Sequence, residues 1–107
     1  MRIFYESFEI EVPANSELVM ETITGREGAL PYVTAVGRDL ATDTDFLLFV
    51  NDMMVIDVPF TMKMGFDNFL PFYYQLDLSD VVKAGFRNRT DTPNTMRFTL
   101  QYYYPAV

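Results

Sequence analysis

Hydrophobic and polar residues alternate most strictly near the end of the chain. Met96, Phe98, Leu100, Tyr102 and Tyr104 take one parity and Arg97, Thr99, Gln101 and Tyr103 the other. Successive side chains of an extended strand point to opposite faces, so this period of two predicts a long, half-buried β-strand. At roughly 3.3 Å per residue it would span about 30 Å, a length that belongs in the centre of a sheet or along one that another chain completes. A polar, turn-rich loop beginning at Ala84 feeds it.

Upstream, Ile3 to Val12 sets Phe4, Phe8, Ile10 and Val12 against Glu9 and Glu11, and Pro13 with Ala14, Asn15 and Ser16 ends the run. Leu18 to Thr24 reads as a second strand, with a helix as the alternative, followed by a charged loop between Gly25 and Gly28. Pro31 to Gly37 is a short β-branched run, and the hydrophilic stretch Arg38 to Thr44 reads as a loop. Asp45 to Val50 and Met53 to Val58 form a hairpin, because Asn51 and Asp52 tolerate the left-handed conformation of a tight primed turn. The continuous hydrophobicity of that hairpin predicts burial on both faces or cover from a partner. Phe60 to Met64 reads as a further short edge strand, ended by a turn at Gly65 to Asn68. Phe69 to Leu78 is aromatic, with Pro71 arguing for an edge or irregular strand. Ser79 to Gly85 reads as one helical turn, capped by Ser79 and ended by Gly85.

About seven or eight short strands with regular turn signals predict an all-β fold, a single antiparallel β-sandwich of jelly-roll or Greek-key type. The chain of 107 residues, half of them hydrophobic, supports one core, so residues 1–107 read as a single domain.

Ten Phe and seven Tyr with no Trp fit a core of rings and β-branched side chains. The absence of His and Cys removes the commonest general base, the thiolate nucleophile and the usual zinc and copper ligands. No cofactor is expected. A net charge of -7 repels phosphates and anionic surfaces, so neither nucleic acid nor membrane is an expected partner. No apolar run approaches the roughly 20 residues of a spanning helix. Met1 leads directly into strand-like sequence without a secretory pattern, which with the lack of cysteine fits synthesis in a cytoplasm.

Asp39, Asp43 and Asp45, with Thr42, Thr44 and the Asn51-Asp52 turn, form the densest set of hard oxygen ligands, of the kind that suits Ca²⁺. Their spacing matches no recognised loop, and solvated carboxylates are the plainer reading. Carboxylate pairs for glycoside hydrolysis could be drawn from Glu9, Glu11, Asp57, Asp77 and Asp80, but any acidic chain offers such pairs, and an enzyme is not expected. Asn88-Arg89-Thr90 matches a glycosylation acceptor and carries little weight without a secretory signal. Arg87 and Arg89 read as solvated more readily than as partners of a neighbouring molecule's carboxylates.

The runs Phe72-Tyr73-Tyr74 and Tyr102-Tyr103-Tyr104 are more informative, since at least one ring of each must leave the core. Exposed tyrosines mark recognition surfaces for protein or sugar, and the alternative is a second buried layer or an aromatic edge. Met53 and Met54, among seven Met residues, serve either as contact surface or as adaptable core filler.

The sequence of Asp45 to Val50, Asn51-Asp52, Met53 to Asp57, Leu70-Pro71-Phe72, Asp77-Leu78, Ala84-Gly85 and a closing Arg97 to Tyr104 resembles small β-sandwich structural proteins of bacteriophage and related virus particles. The resemblance implies a capsid-associated or other virion protein, made in the host cytoplasm, present in many copies and bearing no catalytic residues. It would act as a homo-oligomer or on a major capsid protein, through Phe72, Tyr73, Tyr74, Tyr102, Tyr103, Tyr104, Met53 and Met54. A carbohydrate-binding sandwich, in which Tyr73, Tyr74, Tyr103 and acidic loop residues stack on and hydrogen-bond to sugar, is the competing expectation.

Overall fold

The computed structural model describes residues 2–39, 43–59 and 68–105. Its alternating segments become the strands β1 (Ile3–Val12), β2 (Ser16–Thr24), β3 (Tyr32–Arg38), β4 (Thr44–Val50), β5 (Met53–Val58), β6 (Leu70–Gln75), β7 (Val81–Asn88) and β8 (Asn94–Tyr103). They form two four-stranded sheets, sheet A in the order β1-β8-β3-β6 and sheet B in the order β2-β7-β4-β5. The pairing is nested and antiparallel throughout: β1 lies on β8, β2 on β7, β3 on β6 and β4 on β5. One long double-stranded ribbon has in effect been wound into two layers, with β8 meeting β3 and β7 meeting β4 to complete each sheet. That winding is the eight-stranded jelly roll, with the last strand central as its length requires.

The inner faces meet in a core that includes Val12, Val33, Val36, Leu48, Val82 and Leu100, all fully buried. At its centre Phe98 of sheet A packs against Phe46 and Phe86 of sheet B, with ring centroids 5.7 and 6.0 Å away, and Phe8 stacks on Phe98 at 5.3 Å. Phe4, Phe8, Leu70, Phe72 and Tyr74 flank this cluster, half-buried on the edge strands of sheet A. Asn51 and Asp52 both adopt positive φ, 50° and 67°, so the β4–β5 turn is the expected primed turn.

The structure corrects the sequence reading in three places. Ser79 to Gly85 is not a helical turn: Ser79 has φ 71° in a tight connection, and Val81 onward is the strand β7. Gly85 is there because β2 passes so closely that a Cβ would lie 2.0 Å from the Leu18 carbonyl oxygen. The loop before β8 is correspondingly shorter, since Ala84 to Asn88 belong to β7. Arg38 and Thr44 are the buried ends of β3 and β4, where the chain crosses between sheets, rather than members of a solvated loop. The hairpin is also asymmetric: β4 is buried on both faces, whereas Met53, Met54 and Val55 of the edge strand β5 are exposed. The expected strand at Phe60 to Met64 and most of its closing turn lie outside the described residues.

Candidate functional site

Turn contacts define two ends of the sandwich with opposite character. At one, the β1–β2, β3–β4 and β7–β8 connections meet, joined by Asn15 N–H to the Thr90 carbonyl at 2.9 Å and Arg89 N–H to the Asp43 carbonyl at 3.0 Å. Here lie the buried polar side chains Arg38, Thr44, Asp45 and Asn88. The Arg38 guanidinium donates to the Thr44 carbonyl and hydroxyl and sits over the Phe86 ring, 4.9 Å from its centroid. Burial pulls the Arg38 pKa down, opposed by the charges of Asp45 and Asp39.

Arg87 bridges three strands of sheet B, donating to Glu17 and Asp45 at 2.9 Å and to Asp57 at 3.2 Å, while Arg89 reaches the other Asp45 oxygen at 3.0 Å. Hydrogen bonds to Asp57, Asp45 and Glu17 raise the Arg87 pKa. Both arginines are therefore ion-paired within the chain, contrary to the solvated reading, because β7 lies between β2 and β4 and sets acids on either side of Arg87. Asp39 pairs instead with Arg97 at 3.1 Å, so the three aspartates singled out as ligands do not converge on one point.

Asn88 is buried, and its amide nitrogen donates to the Thr92 carbonyl at 2.9 Å and to those of Val12 and Pro13 at 3.2 Å. Its oxygen accepts from the Thr90 backbone and hydroxyl at 3.0 and 2.7 Å. This excludes the glycan-acceptor reading of Asn88 in the folded chain, because the amide is already committed to fastening two loops. A recess of about 290 Å³ beside Asn15, Glu17, Arg87 and Asn88 is thus walled by groups that bond to one another. The whole end is a polar clasp.

At the opposite end, the β2–β3, β4–β5 and β6–β7 connections are tied by Asp80. Its carboxylate accepts from Asn51 at 2.6 Å and from the Asp77 backbone at 2.8 Å, and the Asn51 and Asp77 bonds, with a smaller contribution from Tyr74, lower its pKa. Burial, then the Asp80 charge, raises the Tyr74 pKa. Around this tie large apolar side chains are exposed, Met53 at 69% and Leu78 at 61% with Met54, Val55, Leu30 and Tyr104, interspersed with the exposed charges of Arg26, Glu27, Asp52 and Asp77.

The third feature is the outer face of sheet A, assembled by register from distant segments. Ile3, Tyr103, Tyr32 and Gln75 form one row across the four strands, and Tyr5, Gln101, Ala35 and Pro71 the next. Beyond them Ser7, Thr99 and Gly37 form a third. None of these side chains is charged. Tyr32 stacks beside Tyr103 at 5.4 Å, and Tyr73 of the edge strand β6 projects from this side, 69% exposed. A bulge in β3 turns the Thr34 hydroxyl onto the Gln101 side-chain oxygen at 2.7 Å, and the Gln101 amide donates to the Tyr5 hydroxyl at 2.8 Å. Phe69 reaches back across the face to Tyr5, ring centroids 6.1 Å apart.

The eight residues expected to make contacts therefore separate. Tyr73 and Tyr103 share the uncharged face, while Met53, Met54 and Tyr104 lie at or near the apolar end. Phe72, Tyr74 and Tyr102 turn inward and pack on the core, because their parity matches that of Leu70 and Leu100. Tyr102 donates to Glu6 at 3.3 Å, and burial followed by the Glu6 charge pushes its pKa up to about 12. Sequence reasoning missed Tyr5, Tyr32, Thr34 and Gln101 as a group. Their outward parity was readable, but the register that aligns them was not. Compared with known proteins, the chain matches no protein family, no curated sequence and no solved structure.

Proposed function

We propose that the protein is a non-enzymatic structural component of a virus particle, capsid-associated or a minor virion protein, that works by associating with copies of itself or with a capsid protein. The observation that carries this reading is the set of large apolar side chains exposed at and near one end, Met53, Met54, Val55, Leu30 and Leu78, among the charges of Arg26, Glu27, Asp52 and Asp77. Apolar surface left uncovered at one end of a small domain marks an interaction site. The jelly-roll winding supports it by analogy, since that fold recurs in capsid proteins, lectins and cupins. A cupin-like metal chemistry is disfavoured by the lack of any histidine. The polar clasp, with its cations and carboxylates mutually bonded, offers little to a reacting substrate.

The test is the double variant Met53→Glu, Leu78→Glu, in which both changes fall on exposed side chains. Its melting temperature should stay close to that of the parent, while association measured by light scattering should be lost, because a carboxylate is costly to desolvate in an apolar contact. A double variant that assembles as the parent does would remove the apolar end from the account.

A further inference from the structure

We propose that the outer face of sheet A binds a neutral oligosaccharide, a role that goes beyond association through the apolar end. Three successive rows of this face carry no charge in a chain of net charge -7; its charges begin in the row beyond, where Glu9 lies opposite Arg97 and Arg97 is taken up by Asp39. The face is nevertheless rich in hydrogen-bonding groups. Among the described residues the hydroxyls of Tyr32, Tyr73 and Tyr103 have no protein partner, and that of Tyr5 accepts from Gln101 while its own hydrogen is unspent. The Thr34–Gln101–Tyr5 chain fixes the polar centre of the face before any ligand arrives, and the bulge that aims Thr34 is the kind of feature that re-aims a side chain at a site.

Exposed ring surface lies on both sides of that centre, at Tyr5 on β1 and Tyr73 on β6, with the Tyr32–Tyr103 pair between. A pyranose offers the complement: C–H surface for the rings and hydroxyls that both donate and accept for the tyrosine, glutamine and threonine groups. A protein partner fits less well. Protein interface cores are enriched in aromatic residues, methionine and arginine and depleted in serine; the tyrosines alone would serve a protein too, but the three rows hold no methionine or arginine, Ile3 is their one large aliphatic, and Thr34, Gln101, Ser7 and Thr99 add hydrogen-bonding groups that a sugar uses.

The experiment is titration of ¹⁵N-labelled full-length protein with cellohexaose, maltohexaose, mannohexaose and chitohexaose, read by amide shift changes. At least one sugar should give saturable shifts centred on Tyr5, Thr34, Tyr73 and Gln101. Tyr5→Ala and Tyr73→Ala, both at exposed positions, should each weaken binding by about tenfold with an unchanged melting temperature. The Met53→Glu, Leu78→Glu variant should bind the sugar as the parent does, which separates this proposal from the association reading. No saturable shift with any of the four at millimolar sugar, shifts that map elsewhere, or full binding by both alanine variants would each overturn it. Shifts on this face that follow protein concentration and not sugar would assign it to a second copy and overturn it equally.

Discussion

Tyr102 is buried in the face it was assigned from its parity, yet keeps its hydroxyl beside Glu6 of the edge strand. Its pKa is raised from 10.0 to about 12, so between those values the folded protein holds a proton that the unfolded chain releases. Stability from this group is fully present below pH 10 and is lost as pH rises towards 12. A spectrophotometric phenolate titration should show a late-titrating component, to which Tyr74 also contributes, that Tyr102→Phe diminishes by one tyrosine; a Tyr102→Phe profile identical to that of the parent would refute the assignment. At the centre of the core, Phe98→Ala should cost about 3 to 5 kcal/mol in denaturant unfolding, the usual effect of deleting a buried ring. A loss below about 1 kcal/mol would mean that Phe98 does not pack on Phe46 and Phe86. Both positions were legible from the sequence, because a period of two over ten residues leaves a single consistent inner face. Arg38 and Asn88 were not. Nothing local to a polar residue tells whether strands on both sides will bury it.

At the scale of elements, the hairpin turn at Asn51 and Asp52, the edge position of Pro71 and the central position of β8 were all readable, since each follows from local conformational limits or length. The segment Ser79 to Gly85 was misread because a cap-like serine and a terminal-looking glycine mimic helix punctuation. Gly85 in fact answers to β2, a contact more than sixty residues away in sequence. Gly85→Ala should therefore separate β2 from β7 and lower the melting temperature steeply, although alanine is ordinarily the milder residue in a strand. Asn88→Ala tests the polar clasp. It removes a donor from the carbonyls of Val12, Pro13 and Thr92, of which Val12 is buried and Thr92 still accepts from the Thr90 hydroxyl, and a loss of about 1 to 2 kcal/mol is expected. Amide exchange should quicken in the β1–β2 and β7–β8 turns together; faster exchange in only one would show that Asn88 does not join them.

The whole molecule is a jelly roll with one bonded polar end, another end where large apolar side chains are exposed, and one sheet face with three uncharged, tyrosine-bearing rows. The sequence signalled that rings would leave the core but not where they would gather, because the face is built from β1, β3, β6 and β8 by long-range register. Copies bearing a net charge of -7 repel one another, so any self-association driven by the apolar end should strengthen as salt screens that charge. The most direct measurement is sedimentation velocity of the unmodified protein from micromolar to millimolar concentration, at low and at physiological ionic strength, alone and mixed with a candidate capsid protein. The account predicts a sedimenting species larger than one chain, formed with itself and favoured by salt, or formed with the capsid protein. A single-chain species at every concentration and in every mixture would contradict it.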